Sequence, residues 1–530
     1  MKKNWFIAFL IMAIIIPAMA GGGQSSGGAG GAPTDFSQHH TITCSSTWFI
    51  ETGVNYMDDV AKELVKDLNI TLEFVPIPLA NAQEICRIWI SSGDMPDITS
   101  YGFSLSDYNA YVEQDLVRAL PADYETRYPH LTKAIKASEI DVQLKAMHGG
   151  RLYAAPRPIF VGDYLEKPVA NHMSLYYRRD WCEKLGLPVK TNFTISEAMY
   201  MAKTFMDRDP NGNGAGKTIG LAIEPGEMIP NFLLPFNKNY GGIYKSPETG
   251  QYIYGPFQES TLRGLETIRK YYDEGIIYPD FFTIRARGEV EAMLNAGLTG
   301  MMRNGAAFGN LKRIYSAFEV ATGLNSLDAL ELANINAEDN IPRMGVFMNH
   351  QAMNYFSPAM SENKFHRALA LLNHAATEDM QNLINMGIPG KDWSRSPGGQ
   401  ITITRPTLPS GDFVPMGTYY PSYNLLSMLV IAWDDFTVRD PSTNPKLLEK
   451  NMAMWNYRSK NGDLALTDYD LFFYSSPQRD RLATININTE FTNIVMKGPN
   501  VRQNWQEFVT QYTPIIREAL DDINRNVGKK

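Results

Sequence analysis

Apolar and polar positions recur along the chain with two periods, and the places where one gives way to the other mark its elements. Thr41-Ile42-Thr43-Cys44 reads as a strand. Over 56–68 the apolar residues Met57, Val60, Ala61, Leu64, Val65 and Leu68 stand three and four apart, as on one face of a helix. Strand character returns over 70–75, and a second helix is predicted over 80–91. The turn Ser92-Gly93-Asp94-Met95-Pro96 then leads into a strand over 97–100. Strands and helices alternating at this spacing predict a parallel sheet flanked by helices. Two more strands are expected over 151–156 and 173–178. Beyond them the pattern predicts a helix over 180–185 stopped by Gly186, one over 196–206 capped by Ser196, and one closing at 271–275. A single amphipathic helix is expected over 365–386, and terminal helices over 504–527. No internal repeat interrupts the series.

The first apolar run, 5–16, is of another kind. Lys2 and Lys3 precede it, Pro17 breaks it, and Ala18-Met19-Ala20 offers the small residues that a signal peptidase reads. This predicts a secretory signal over 1–20, cleaved after Ala20. The run is shorter than the roughly 20 residues a bilayer demands. Residues 21–34 follow as a Gly/Ser-rich linker with nothing to bury. The folded body is therefore expected in the periplasm or at the extracellular face of the cytoplasmic membrane.

Composition narrows the work that body can do. About 500 residues remain after the linker, more than one hydrophobic core usually serves. With 44% hydrophobic and 20% charged residues the chain has ordinary globular balance. Its formal charge is -8, and losing Lys2 and Lys3 takes it to -10, which argues against a nucleic-acid or anionic-membrane partner. Aromatics are plentiful, with 8 Trp and 27 Tyr; most must be core, but an exported acidic protein rich in them can also stack sugar rings. Cys44, Cys86 and Cys182 make an odd set without a CxxC spacing; buried thiols and a Cys44–Cys86 disulfide both fit. No cysteine stands at the cleavage point, so a lipid anchor has no support.

The densest local pattern is Asp207-Arg-Asp209-Pro-Asn211-Gly212-Asn213-Gly214-Ala-Gly216-Lys217-Thr218. A phosphate-binding loop is excluded, because a helix precedes the motif and a strand-like run, 218–223, follows it, the reverse of the required order. A calcium loop stays open, with Asp209, Asn211 and Asn213 as oxygen ligands at alternate positions. Against it, Lys217 stands where a further acid is wanted. The competing reading is a metal-free Gly/Asn turn held by side-chain-to-backbone hydrogen bonds. No GxSxG, HExxH or supported SxxK motif is present. A pair of glycosidase carboxylates cannot be picked out among so many acids.

Several motifs in order resemble the extracellular solute-binding proteins of family 1, which serve sugar ABC importers. They are Ser92-Gly-Asp-Met-Pro-Asp97, Gly150-Arg-Leu-Tyr153-Ala-Ala-Pro156 and, most specific, the run from Leu175 through Arg178, Asp180 and Trp181 to Pro188. The 207–214 loop, Tyr271 to Phe281, Gly387-Ile-Pro-Gly390-Lys-Asp-Trp393 and Lys497-Gly498 to Trp505 complete the series. The likeness is nearest to oligosaccharide-binding lipoproteins and alginate-oligosaccharide-binding proteins. It implies an α/β fold of the type II periplasmic-binding-protein kind, two lobes joined by a hinge around an interlobe cleft. By that likeness, lobe one holds 35–168 and 340–395, and lobe two holds 169–339 and 396–530. It further implies a monomeric, non-enzymatic receptor that captures a carbohydrate and hands it to ABC permease subunits, with no cofactor required and calcium the one metal the loop would take. Many relatives carry an anchoring cysteine, and many have an acid where Lys217 stands; this chain departs in both.

Ligands of open α/β sheets sit beyond the carboxyl ends of strands. Reading off those ends gives Trp48, Tyr101 and Asn304 as ligand-binding candidates, with Tyr176 near the expected interlobe crossing, Trp393 after the GIPG turn and Tyr419 and Tyr420 in a Gly/Pro-flanked loop. Arg178 is expected to pair with Asp180 or Asp163 as scaffold. Two rival functions stay open on sequence alone, a secreted carbohydrate lyase or hydrolase and a ligand-presenting sensor subunit.

Overall fold

The computed structural model describes residues 36–46, 54–77, 82–284, 286–407 and 413–528. The signal, the linker and Trp48 lie outside them. Among the described residues the strands in chain order are β1 (His40–Ser46), β2 (Ile70–Phe74), β3 (Ile98–Tyr101), β4 (Ala154–Pro156), β5 (Met173–Arg178), β6 (Asn192–Thr194), β7 (Ile243–Lys245), β8 (Tyr252–Tyr254), β9 (Met301–Gly305), β10 (Leu330–Asn336), β11 (Arg343–Gly345), β12 (Met353–Phe356), β13 (Trp393–Arg395), β14 (Ile401–Ile403) and β15 (Asp463–Ala465). Two larger sheets organise them, β2-β1-β3-β12-β4 and β6-β10-β5-β9.

The first sheet is the predicted alternation of strand and helix. β1 lies between β2 and β3, parallel to both, with Ile42 opposite Leu72 and Cys44 opposite Ile98. Ile42, Cys44, Ile70, Leu72 and Ile98 bury their side chains in the core of this sheet, with Thr and Ser between them. Asp59–Val65 turns Val60, Ala61, Leu64 and Val65 inward, and Asp58 caps it by accepting the Val60 and Ala61 N–H groups. β12 returns antiparallel between β3 and β4. In the second sheet β5 is central and antiparallel to both β9 and β10, with Leu175 facing Arg303 on one side and Ala333 on the other.

Each sheet has its own core, and the chain passes between them over 157–172 and again over 337–352. The near-apolar run 425–431 packs in the first core beside Met416 and Tyr420, although the family likeness had grouped 396–530 with the second lobe. Apolarity of that order has to be buried, and the first core is where it lies. The three cysteines are buried free thiols, so the Cys44–Cys86 disulfide is not formed.

Two helix expectations are corrected. The helix expected over 365–386 is two, Glu362–Ala375 and Glu378–Met386, because Thr377 takes the extended conformation and caps the second through the Met380 N–H. The helix Ile195–Arg208 is capped by Thr194 in a capping box with Glu197, while the Ser196 hydroxyl donates to Glu338. The strand-like run 218–223 makes only single bridges, among them Ile219 to Thr299 and Ala222 to Met302.

Candidate functional site

Among the described residues, a cleft of about 1340 Å³ runs from 103–106, just past the carboxyl end of β3, to 236–248 and the segment 463–487. Its walls are braced from behind. Asn524 on the terminal helix Val501–Asn526 accepts the Tyr252 N–H at 2.7 Å and donates to the Tyr252 carbonyl at 3.1 Å, which fixes the hairpin of β7 and β8. The Tyr252 hydroxyl donates to Asp468 at 2.8 Å. Gly255 is required where this hairpin meets the 237–242 loop, since a Cβ there would sit 1.8 Å from the Asn239 carbonyl oxygen. β15 pairs with β11 and so carries 463–469 across the second crossing.

Flat and polar groups alternate around this space. Phe103, Tyr244, Phe472 and Tyr474 supply rings, and Ser104, Asn239, Gln258 and Asp468 supply hydrogen-bonding groups. A sugar has apolar C–H faces edged by hydroxyls, and a site of this composition can cover the first and pair the second. A neighbouring recess of about 400 Å³ shares Lys238, Asn239 and Arg343 with it and is walled by Glu227, Asn231, Tyr240 and Arg303.

The sequence candidates fall elsewhere. Tyr176 is fully buried on the opposite face of β5, its hydroxyl donating to the Gly305 carbonyl at 2.8 Å. Asn304 is equally enclosed, donating to Glu291 at 2.8 Å and accepting the Gly305 N–H. Both side chains point to the face of their strand away from the recess, because successive residues of a strand point to opposite sides. Their neighbours Leu175 and Arg303 line the recess. Tyr101 is half-buried with its ring 4.5 Å from Phe103, and Phe103 reaches the cleft. Trp393 is buried against Met386 and Phe436, its indole N–H donating to the Gly387 carbonyl at 2.9 Å. Tyr420 donates to Asp392 at 2.7 Å and packs at 4.5 Å on Tyr419. The structure thus gathers Trp393, Tyr419 and Tyr420 around Asp392, whose carboxylate also accepts the Ile388 N–H. Among the described residues lining the cleft and the recess, none of these six appears. Arg178 is scaffold as expected, donating to Asp180 at 2.7 Å and stacked on Trp181. Phe103, Tyr244, Asn231 and Arg303 went unread; alternation along β9 would have pointed to Arg303, while Phe103 past β3 and Tyr244 in the short β7 carry no motif of their own.

The 207–218 loop closes on itself. Asp209 Oδ1 accepts the Thr218 hydroxyl at 2.6 Å and the Asn213 N–H at 3.0 Å, and Oδ2 accepts the Gly214 N–H at 2.8 Å. Asn211 donates to Asn213 Oδ1 at 2.9 Å, and Asp207 turns outward to Lys203. Calcium wants several free carboxylate or carbonyl oxygens converging. This loop offers one inward carboxylate whose oxygens are already taken, and the donor set does not fit the ion as it stands. Among the described residues no cluster of three His, Cys, Asp or Glu side chains could hold a metal.

No protein-family model matches the chain. It is 24% identical over 354 residues to the polygalacturonan/rhamnogalacturonan-binding protein YtcQ of Bacillus subtilis (strain 168), a match covering 66% of each protein and so just under two thirds of YtcQ. The alginate-binding protein AlgQ2, solved without calcium ion, superposes with a TM-score of 0.65 at 18% identity, over 93% of this chain and 99% of that one. The substrate-binding protein FusA of the Streptococcus pneumoniae ABC transporter, solved with kestose, gives 0.64 at 15% identity over 92% and 99%. This is the fold of a solute-binding protein. Two sheets with separate cores, joined by crossing segments around a cleft, are the solute-binding architecture, and the likeness runs almost end to end. Among the described residues, no helix is long and apolar enough to cross a membrane.

Proposed function

We propose that the protein is the exported substrate-binding component of an ABC importer, capturing an oligosaccharide in the cleft and delivering it unaltered to membrane permease subunits. The observation that carries this reading is the cleft itself: about 1340 Å³ of space lined by rings and amides, between 103–106 just past β3 and the segments 236–258 and 463–487. It sits on a fold that matches oligosaccharide-binding receptors over more than nine tenths of the chain. A ligand touching both walls favours the closed arrangement because only that arrangement satisfies all its contacts. Micromolar capture needs about 8 kcal/mol net, within the range of two or three stacked rings and their hydrogen bonds after ordering costs.

Calorimetric titration with a panel of oligosaccharides, paired with small-angle scattering, tests the proposal. Binding with a contraction of the scattering radius and full recovery of intact ligand is expected. Silence across sugars, or steady breakdown of any that bind, overturns it.

A further inference from the structure

A separate pocket of about 620 Å³ lies against the two crossings, walled by 160–169 of the first, 346–349 of the second and the segment 466–469. That volume is in the range that takes small organic groups. The three segments are joined side by side: the Phe347 N–H donates to the Val169 carbonyl at 2.7 Å, and the Val346 N–H to the Ala465 carbonyl at 3.2 Å. Four rings, Phe160, Tyr164, Phe347 and Tyr469, line the pocket together with the aliphatic Leu165 and Val169.

Its amide and charged groups are already spent. Asn349 Nδ2 donates to the Ala137 and Phe160 carbonyls at 2.7 Å each, and its Oδ1 accepts the Phe160 N–H at 2.9 Å. Lys167 pairs with Glu139 at 2.6 Å and Lys136 with Glu125 at 2.9 Å, while the Asp163 side chain is 94% exposed. A sugar hydroxyl carried in here loses its water without gaining an amide in return. The two lysines on the wall are matched by Glu139 and Asp163, so the pocket selects no charge either. What it favours is a flat, neutral, carbon-rich group.

Leu466 supplies the second, independent observation. The pocket and the cleft have Leu466 and Thr467 in common, and Leu466 is 69% exposed. A lone exposed leucine on an outer surface is ordinary. On the divide between a hydroxyl-pairing cleft and an apolar pocket, it is surface that a ligand reaching from one into the other would cover.

We infer that this pocket seats a neutral aromatic substituent of the ligand, so that the oligosaccharide held in the cleft is a decorated one whose ring group passes over Leu466 to lodge among Phe160, Tyr164, Phe347 and Tyr469. This rests on the carbohydrate-capture reading and adds to it what the sugar carries.

The test titrates the unaltered protein calorimetrically with maltotriose, xylotriose and galactotriose. Each is supplied as the methyl glycoside, as the benzyl glycoside, and as the methyl glycoside with a benzyl ether on its non-reducing terminal sugar. For a sugar that binds, one of the two benzyl forms is expected to bind roughly tenfold tighter or more than the plain methyl form. Leu165→Asn, which makes the wall polar, and Val169→Trp, which fills the space, are each expected to erase that gap. Neither residue lines the cleft, so the methyl form keeps its affinity in both. Thermal melts verify that the variants are folded. Equal binding of all three forms, weaker binding of both benzyl forms, or an undiminished benzyl advantage in either folded variant overturns the seat while leaving carbohydrate capture intact. No binding of any form, together with silence across the oligosaccharide panel, removes both.

Discussion

His172 sits on the first crossing with its ring stacked at 5.9 Å on Trp455 and edge-on to Phe347, and its Nδ1 is buried without a partner. Burial first, and then the charges of Arg458, Arg287 and Arg303, lower its pKa to about 4. An unfolded histidine titrates near 6.5, so between those values the unfolded chain binds a proton that the folded one refuses. The stability this neutral ring allows is complete above pH 6.5 and declines as pH falls toward 4, by about 2 kcal/mol once its accessible edge is discounted. His350 is lowered by burial as well, so the acid limb is a sum of several groups. Urea unfolding at pH 7 and pH 4.5 should show a smaller acid loss in His172→Phe than in the parent; an identical loss in both would refute the assignment. Asp209 works with the same sign by another cause. The Thr218 hydroxyl, then the Gly214 N–H, hold its carboxylate below the usual range. That contribution is present at neutral pH and disappears as pH drops below the ordinary aspartate value and through the lowered one. Because those donors already occupy its oxygens, millimolar calcium is expected to leave the melting temperature unchanged, whereas Asp209→Ala lowers it with or without calcium. A calcium-dependent rise in the parent that is absent from Asp209→Ala would reverse this reading.

Elements were legible wherever apolar spacing was regular and local. β1, β2, β5 and the helices between them follow the predicted order, and Gly186 stops its helix in the left-handed conformation at φ 68°. What escaped depends on choices between neighbours. Ser196 and Thr194 are both plausible caps by residue type, and only the capping-box partner Glu197, three residues beyond Thr194, separates them. Thr194→Ala is therefore expected to cost about 1 kcal/mol, and Ser196→Ala clearly less, in denaturant titrations. The reverse order would restore the sequence reading. Thr377 broke an apolar pattern that ran on unbroken across two helices, since helical periodicity can survive a cap when both segments face one core. The site was less legible than the fold for a related reason. A strand end locates the cleft, but the face is set by which side the sheet buries. Thus β9 turns Asn304 to Glu291 and Arg303 to the recess. Tyr244 sits in the short hairpin of β7 and β8 and Phe472 at the end of the short helix Tyr469–Phe472, yet what brings them to one cleft is long-range, such as the Asn524 bonds to Tyr252 and the Tyr252 hydroxyl on Asp468.

For the whole molecule, the question is what lets two lobes move together. Arg157, buried on the first crossing and without a carboxylate partner, donates to the carbonyls of Gln351 on the second crossing and Met428 near the end of the first core. Beside it, Phe160 and Phe347 from the two crossings, with Met428 and Ala432, pack onto Phe308 and Trp455 of the second lobe. Ring centroids lie 5.4 to 6.2 Å from Trp455, which is wholly buried. A node packed this densely transmits displacement instead of absorbing it, so closure over a ligand should turn about it as a fulcrum. Its contacts also make the lobes unfold as one. Trp455→Ala removes the ring every branch of the node touches, at a cost of about 3–5 kcal/mol by analogy with other large-to-small core changes. Because much of that packing lies between the lobes, the loss should appear as lost coupling as well as lost stability. Calorimetry is expected to show one cooperative transition in the parent and two in Trp455→Ala, with a ligand that bridges the cleft drawing the two back together. A single transition that only moves to lower temperature would place Trp455 in the second lobe's core and take the fulcrum away from it.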